Sequence, residues 1–171
     1  HSNIDIGERK ARTTPTALGP SVEFFNSYPL VHSEGVYRGS REQDPDKRVF
    51  ILSRAFFAGQ QRAGAAFWSG DIVPRWDDLR EQISGLVNAS MAGAPNVSFD
   101  IGGFSPERRY ETKDPAHLAE WRELSLRWFQ HGAFVPIFRL HGQFPYREIW
   151  EIAPEGSPHY DSFVHYLKLR Y

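Results

Sequence analysis

The strongest constraint on this chain is an alternation of two periodicities. Four short apolar runs, residues 49–52, 64–67, 96–99 and 134–138, are interspersed with amphipathic helical patterns. Short continuous apolar runs suit strands buried on both faces, as in a parallel sheet. The helical patterns carry start signals. Pro20 stands at a first helical position, followed by Val22, Phe25 and Tyr28 at helical spacing, and Pro29 is expected to kink or shorten that helix. Pro74 opens a second pattern, with Asp77 and Asp78 in its first turn and Trp76, Leu79, Ile83, Leu86 and Val87 on one face. Asp114-Pro115 reads as a cap followed by a first-turn proline, ahead of Leu118, Trp121, Leu124 and Trp128. Ser157-Pro158 opens a last helix with Phe163, Tyr166 and Leu167 inward. Residues 1–17 read as a connection and 39–47 as a charged surface loop. Pro136 inside the fourth run sits awkwardly in a strand.

About four strand–loop–helix units imply right-handed crossovers and a parallel sheet. Four units are half of an eight-stranded barrel, and an open doubly wound sheet is the alternative. No GxGxxG or GxxxxGKS follows any strand, so a nucleotide-binding version lacks its usual support. The last helix runs to Tyr171 without a stop signal, and both ends read as cut.

Composition narrows the function classes. Twenty Lys and Arg against 21 Asp and Glu leave a net charge of -1, which gives no reason to expect nucleic acid or an anionic membrane as partner. No apolar run approaches the roughly 18 residues of a membrane helix. No leader peptide is visible ahead of the first run. Cysteine is absent, which removes disulfides, thiolate metal sites and a cysteine nucleophile. No HxH, HExxH or EF-hand spacing favours a metal, and no GxSxG elbow favours a serine nucleophile. No cofactor is expected.

Working residues of a βα barrel stand at the C-terminal ends of its strands. Just past the four runs come Ser53-Arg54, Trp68-Ser69-Gly70-Asp71, Asp100-Ile101-Gly102-Gly103-Phe104 and Arg139-Leu140-His141-Gly142. Each residue has a plainer reading. Asp71 could cap the next helix, Arg54 could serve a structural ion pair, Asp100 could make a turn, and His141 could be an ordinary loop histidine. Trp68 and Phe104 suit a core as well as a pocket. The other histidines, His32, His117, His131, His159 and His165 among them, carry no functional assignment. A pocket of carboxylates, Arg, His and aromatic rings fits sugars, whose hydroxyls take the polar groups and whose C–H faces stack on rings. A glycosidase needs two carboxylates, about 5–5.5 Å apart when configuration is retained.

Together these motifs resemble glycoside hydrolase family 31 over nearly the whole chain. WSGD and DIGGF in this order, with Asp71 and Asp100 29 residues apart, carry most of the likeness. The stretch from Phe25-Asn26-Ser27-Tyr28-Pro29-Leu30 through Glu34-Gly35-Val36-Tyr37 resembles bacterial members, as does Ile51-Leu52-Ser53-Arg54. The run His141-Gly142-Gln143-Phe144-Pro145-Tyr146-Arg147-Glu148 is similar to the α-xylosidase type.

The resemblance implies an α/β chain forming the C-terminal half of a (β/α)8 TIM barrel. Residues 1–171 would be a partial catalytic domain truncated at both ends. It implies retaining hydrolysis of terminal α-linked xylosides or glucosides, with Asp71 as general acid/base. Arg54 and His141 would contact the sugar, Trp68 and Phe104 would wall the pocket, and Asp100 would lie close to it. The family's nucleophile belongs to a WxDxxE-like stretch that these residues lack, so the isolated chain is expected to be inactive. Asn96-Val97 replaces the family's usual aromatic pair, which bears on the pocket walls. Ala55 and Leu140 stand where Ser is common, and His131 where an apolar residue is common. A non-catalytic sugar-binding relative is the alternative, and a metal-dependent barrel would need His32, Asp71, Asp100 and His141 to converge. The expected partner is an oligosaccharide or glycoside. The resemblance leans toward a bacterial periplasmic or secreted location. Unpaired strand edges of a half barrel predict that the chain alone self-associates.

Overall fold

The computed structural model describes residues 15–171. Most of the residues read as an N-terminal connection therefore lie outside the described residues. The chain divides into two compact units, the first ending at Ala65 and the second running Ala66–Tyr171.

In the first unit a short helix α1 (Ser21–Phe24) and a 3-10 turn lead into helix α2 (Tyr28–Gln43). The first helix is short, α1 ending at Phe24 ahead of Pro29. Pro29 occupies the first turn of α2, where its fixed φ is already helical and no N–H is required. The charged stretch expected as a loop from 39 is helical through Gln43. Its charges lie on a solvated helix face, and the loop begins only at Asp44, whose N–H closes the last turn on Ser40. Strand β1 (Ile51–Ser53) lies one to two residues later than the apolar run. It is not buried on both faces: Phe50 is 68% and Leu52 37% exposed. Gln60 is fully buried, donating to Ser33 Oγ at 2.8 Å and accepting from the Phe57 N–H at 3.0 Å.

Strand β2 (Ala65–Trp68), in the second unit from Ala66 on, pairs in parallel with β3 (Val97–Ser98), Phe67 opposite Val97 and Trp68 opposite Ser98. Helix α3 (Trp76–Met91) makes the crossover between them. Its buried stripe is narrower than expected. Leu79 and Leu86 are buried, whereas Trp76, Ile83 and Val87 are 45–56% exposed. Helix α4 (Pro115–Gly132) starts as predicted, with Asp114 accepting from the Ala116 and His117 N–H groups at 2.8 and 3.3 Å. A one-turn helix α5 (Ile149–Ile152) and helix α6 (Pro158–Arg170), capped by Ser157, complete the unit. The core gathers Phe99, Ile101, Leu124, Trp128, Phe129 and Phe163, each at most 1% exposed. Phe129 sits edge-on to both Phe138 and Phe163.

The fourth predicted strand, residues 134–138, is not formed there. Arg170 donates to the carbonyls of Ala133, Val135 and Pro136, so those acceptors are satisfied by a side chain and not by a sheet. Parallel pairing comes later, as a bridge between Ile101 and Leu140, with Ile101 N–H on Arg139 O at 3.1 Å. The unit is thus α/β with strand ends in parallel register. No helix among the described residues is long and apolar enough to cross a membrane.

Candidate active site

The strand ends of the second unit bring together Trp68, Asp71, Asp100, Phe104 and His141. Arg54 stands in the first unit, exposed, on the segment that leaves β1.

Asp71 follows β2 through Gly70, whose φ of 88° needs glycine. It is half-buried. Asp71 is not at the cap position of α3: the residue before that helix is Arg75, whose side chain makes no capping hydrogen bond. Pro74 does not open the helix either. It is buried against Gly103, where an added Cβ would stand 2.6 Å from Pro74 N.

Asp100 has two roles at once. Its carbonyl accepts from Gly103 N–H at 2.8 Å, making the turn through two positive-φ glycines. Its side chain is completely buried, with Oδ1 bonded by Arg139. Oδ2 is also buried and has no hydrogen-bond partner among the described residues. Burial pushes the Asp100 pKa up, Arg139 and His141 pull against it, and the negative charge of Asp71 pushes it further up. The negative charge of Asp71 therefore reaches Asp100 across one polar cluster.

Arg139 links this cluster to the aromatic wall, its guanidinium 5.6 Å from the centre of the Trp68 ring. The rings of Phe104 and His141 lie 5.5 Å apart, and His141 is exposed. Phe104 N–H donates to Ile72 O and Gln143 N–H to Phe104 O, both at 2.8 Å, tying the three strand-end loops together. The arrangement offers an accessible carboxylate beside a fixed ion pair, a histidine and two ring faces. Among the described residues no group of three or more His, Asp or Glu is placed to hold a metal ion.

Asn96 and Val97 lie at the start of β3, the end away from Asp100. Val97 packs in the core and Asn96 offers its carbonyl to Phe67 N–H. This replacement is therefore in the sheet's packing and not in the strand-end cluster. Two residues of the cluster carried no role in the sequence reading. Arg139 stood inside a quoted motif, and only its buried partner reveals its task. Arg147 is buried among backbone carbonyls of its own loop and of the Gly102-Gly103 turn, 45 and 44 positions away.

A family model for the glycosyl hydrolases family 31 TIM-barrel domain matches residues 2–171. An α-xylosidase of Saccharolobus solfataricus is 40% identical over 154 residues, covering 90% of this chain and 20% of that protein. The crystal structure of a family 31 α-xylosidase from Xanthomonas citri superposes with a TM-score of 0.94 at 69% identity, over 99% of this chain and 18% of that one. A soil-metagenome α-xylosidase complexed with xylose gives a TM-score of 0.75 at 35% identity, over 91% of this chain and 24% of the other. The chain thus spans about a fifth of the length of these relatives. With its strand-end motifs in the places described, this chain belongs to glycosyl hydrolase family 31 and forms part of that family's TIM-barrel domain.

Proposed function

We propose that the protein carrying this chain hydrolyses terminal α-linked xylosides or glucosides by a retaining double displacement, with Asp71 as its acid/base. The observation that carries this is the placement of Asp71: half-buried, not at the cap position of α3, and within electrostatic reach of the Asp100–Arg139–His141 cluster. Family membership and α-xylosidase relatives support the substrate class. In the first step Asp71 protonates the leaving oxygen while a carboxylate supplied from outside these 171 residues attacks the anomeric carbon. In the second, Asp71 takes a proton from water as that water displaces the enzyme carboxylate. Trp68 and Phe104 stack against the sugar, His141 bonds its hydroxyls, and Asp100 holds the polar floor through Arg139.

The test is turnover of p-nitrophenyl α-xyloside and α-glucoside by the full-length protein, with the released sugar followed by NMR. The expected first product is the α-anomer. A β-anomer would contradict double displacement. Sugar binding without turnover would favour the non-catalytic relative.

A further inference from the structure

We propose that Arg147 is a positioning residue that sets the spacing of Phe104 and His141 in the sugar-binding wall, an inference that rests on the function proposed above. Arg147 is 4% exposed, yet its hydrogen bonds go to backbone carbonyls on two loops. Nε donates to Gly102 O at 3.2 Å and Nη2 to Gly103 O at 2.8 Å. Nη1 donates to Gln143 O at 2.8 Å and also to Pro145 O. The guanidinium lies 4.8 Å from the centre of the Trp121 ring. One loop carries Phe104 and the other His141. The rigid planar fork is what allows one side chain to hold carbonyls on both, a geometry that a lysine point charge cannot reproduce.

The surrounding glycines are shaped to this side chain. A Cβ at Gly102 would stand 2.8 Å from Arg147 Cδ, and one at Gly142 would stand 2.5 Å from both Arg147 Nη2 and Gly103 O. Burying a cation is costly, and an apolar residue of similar volume would often serve stability as well. Here burial pulls even the Arg147 pKa down to about 10. The structure retains the charge where its effect is to fix two loops, and those loops bear the wall. The Gln143 N–H bond to Phe104 O closes the same frame from the other side.

The experiment compares three variants of the full-length protein: Arg147→Lys, Gly142→Ala and Phe163→Leu. Phe163 is a buried core residue against Phe129 and serves as a control for lost stability. KM for p-nitrophenyl α-xyloside and the inhibition constant of free xylose are measured below each variant's Tm. Arg147→Lys should raise both about tenfold, as expected for a misplaced binding wall. Gly142→Ala should raise both by a smaller factor, because it displaces the guanidinium without removing it. Phe163→Leu should lower Tm and leave both constants unchanged. If Arg147→Lys does not fold, Gly142→Ala decides the matter.

Unchanged constants in the folded Arg147 and Gly142 variants would overturn the inference. So would an equal rise in Phe163→Leu. Wild-type protein that binds xylose without turnover would sink the catalytic reading alone, and the xylose constant would then still test Arg147. Wild-type protein that neither binds nor turns over the sugar would overturn both.

Discussion

Asp100 and Arg139, 39 positions apart in sequence, form an ion pair in which the carboxylate is fully buried and the arginine side chain is 32% exposed. Removing one partner of a buried pair costs far more than removing both, because it strands a charge. Arg139→Met should destabilise the barrel domain by about 3 kcal/mol, the low end for such pairs because Arg139 keeps some solvent. Adding Asp100→Asn to that variant should recover at least half of the loss. Urea denaturation of the two single variants and the double variant measures the coupling. A double variant less stable than Arg139→Met would show that the pair is not the source.

A second prediction concerns acid sensitivity. His131 stacks on Phe99 with ring centres 5.1 Å apart, and its buried Nε2 has no hydrogen-bond partner among the described residues. Burial lowers its pKa below the ordinary 6.5. As pH falls through 6.5 the unfolded chain takes up a proton here while the folded chain resists it. Its contribution to stability is therefore complete above 6.5 and is lost on acidification. His131→Phe keeps the stack and removes the titration, so the fall in Tm between about pH 7.5 and 5.5 should be smaller in the variant. An equal or steeper fall would contradict the assignment.

Two glycines separate backbone strain from crowding. Gly156 has φ 80° and open space around an added Cβ, so Gly156→Ala should cost about 1 kcal/mol from backbone conformation alone. Gly103 has φ 64° and would drive its Cβ to within 2.7 Å of Pro74. Gly103→Ala should therefore cost about 3 kcal/mol or more, since strain and overpacking add. It should also impair sugar binding, because Phe104 follows directly. Thermal unfolding of both variants is the check, and equal losses would show that the Pro74 contact yields freely.

What was legible in the sequence follows from how local each signal is. Asp114-Pro115 and Ser157-Pro158 marked helix starts because caps act within three residues. Strand-end register placed Asp71, Asp100 and His141 in one neighbourhood because parallel crossovers carry every strand end to the same face. The failures share a different cause. The 134–138 run reads as a strand, but Arg170, 34 and 35 residues away, takes the Pro136 and Val135 carbonyls. Residues 39–43 looked like a loop because a solvated helix face and a charged loop have the same composition. Arg147 stands in the run from His141 to Glu148, but its role is not local, since it depends on Gly102 and Gly103 more than 40 residues away.

The central claim is that Asp71 is the acid/base, and leaving-group dependence tests it most directly. Asp71→Ala in the full-length protein should cost about 10²–10⁴-fold in kcat/KM on an α-xylosyl disaccharide, whose leaving group needs a proton. On p-nitrophenyl α-xyloside the loss in forming the glycosyl-enzyme should be far smaller. Azide should then rescue its breakdown, giving the α-xylosyl azide. Equal losses on both substrates, with no azide product, would contradict the role given to Asp71.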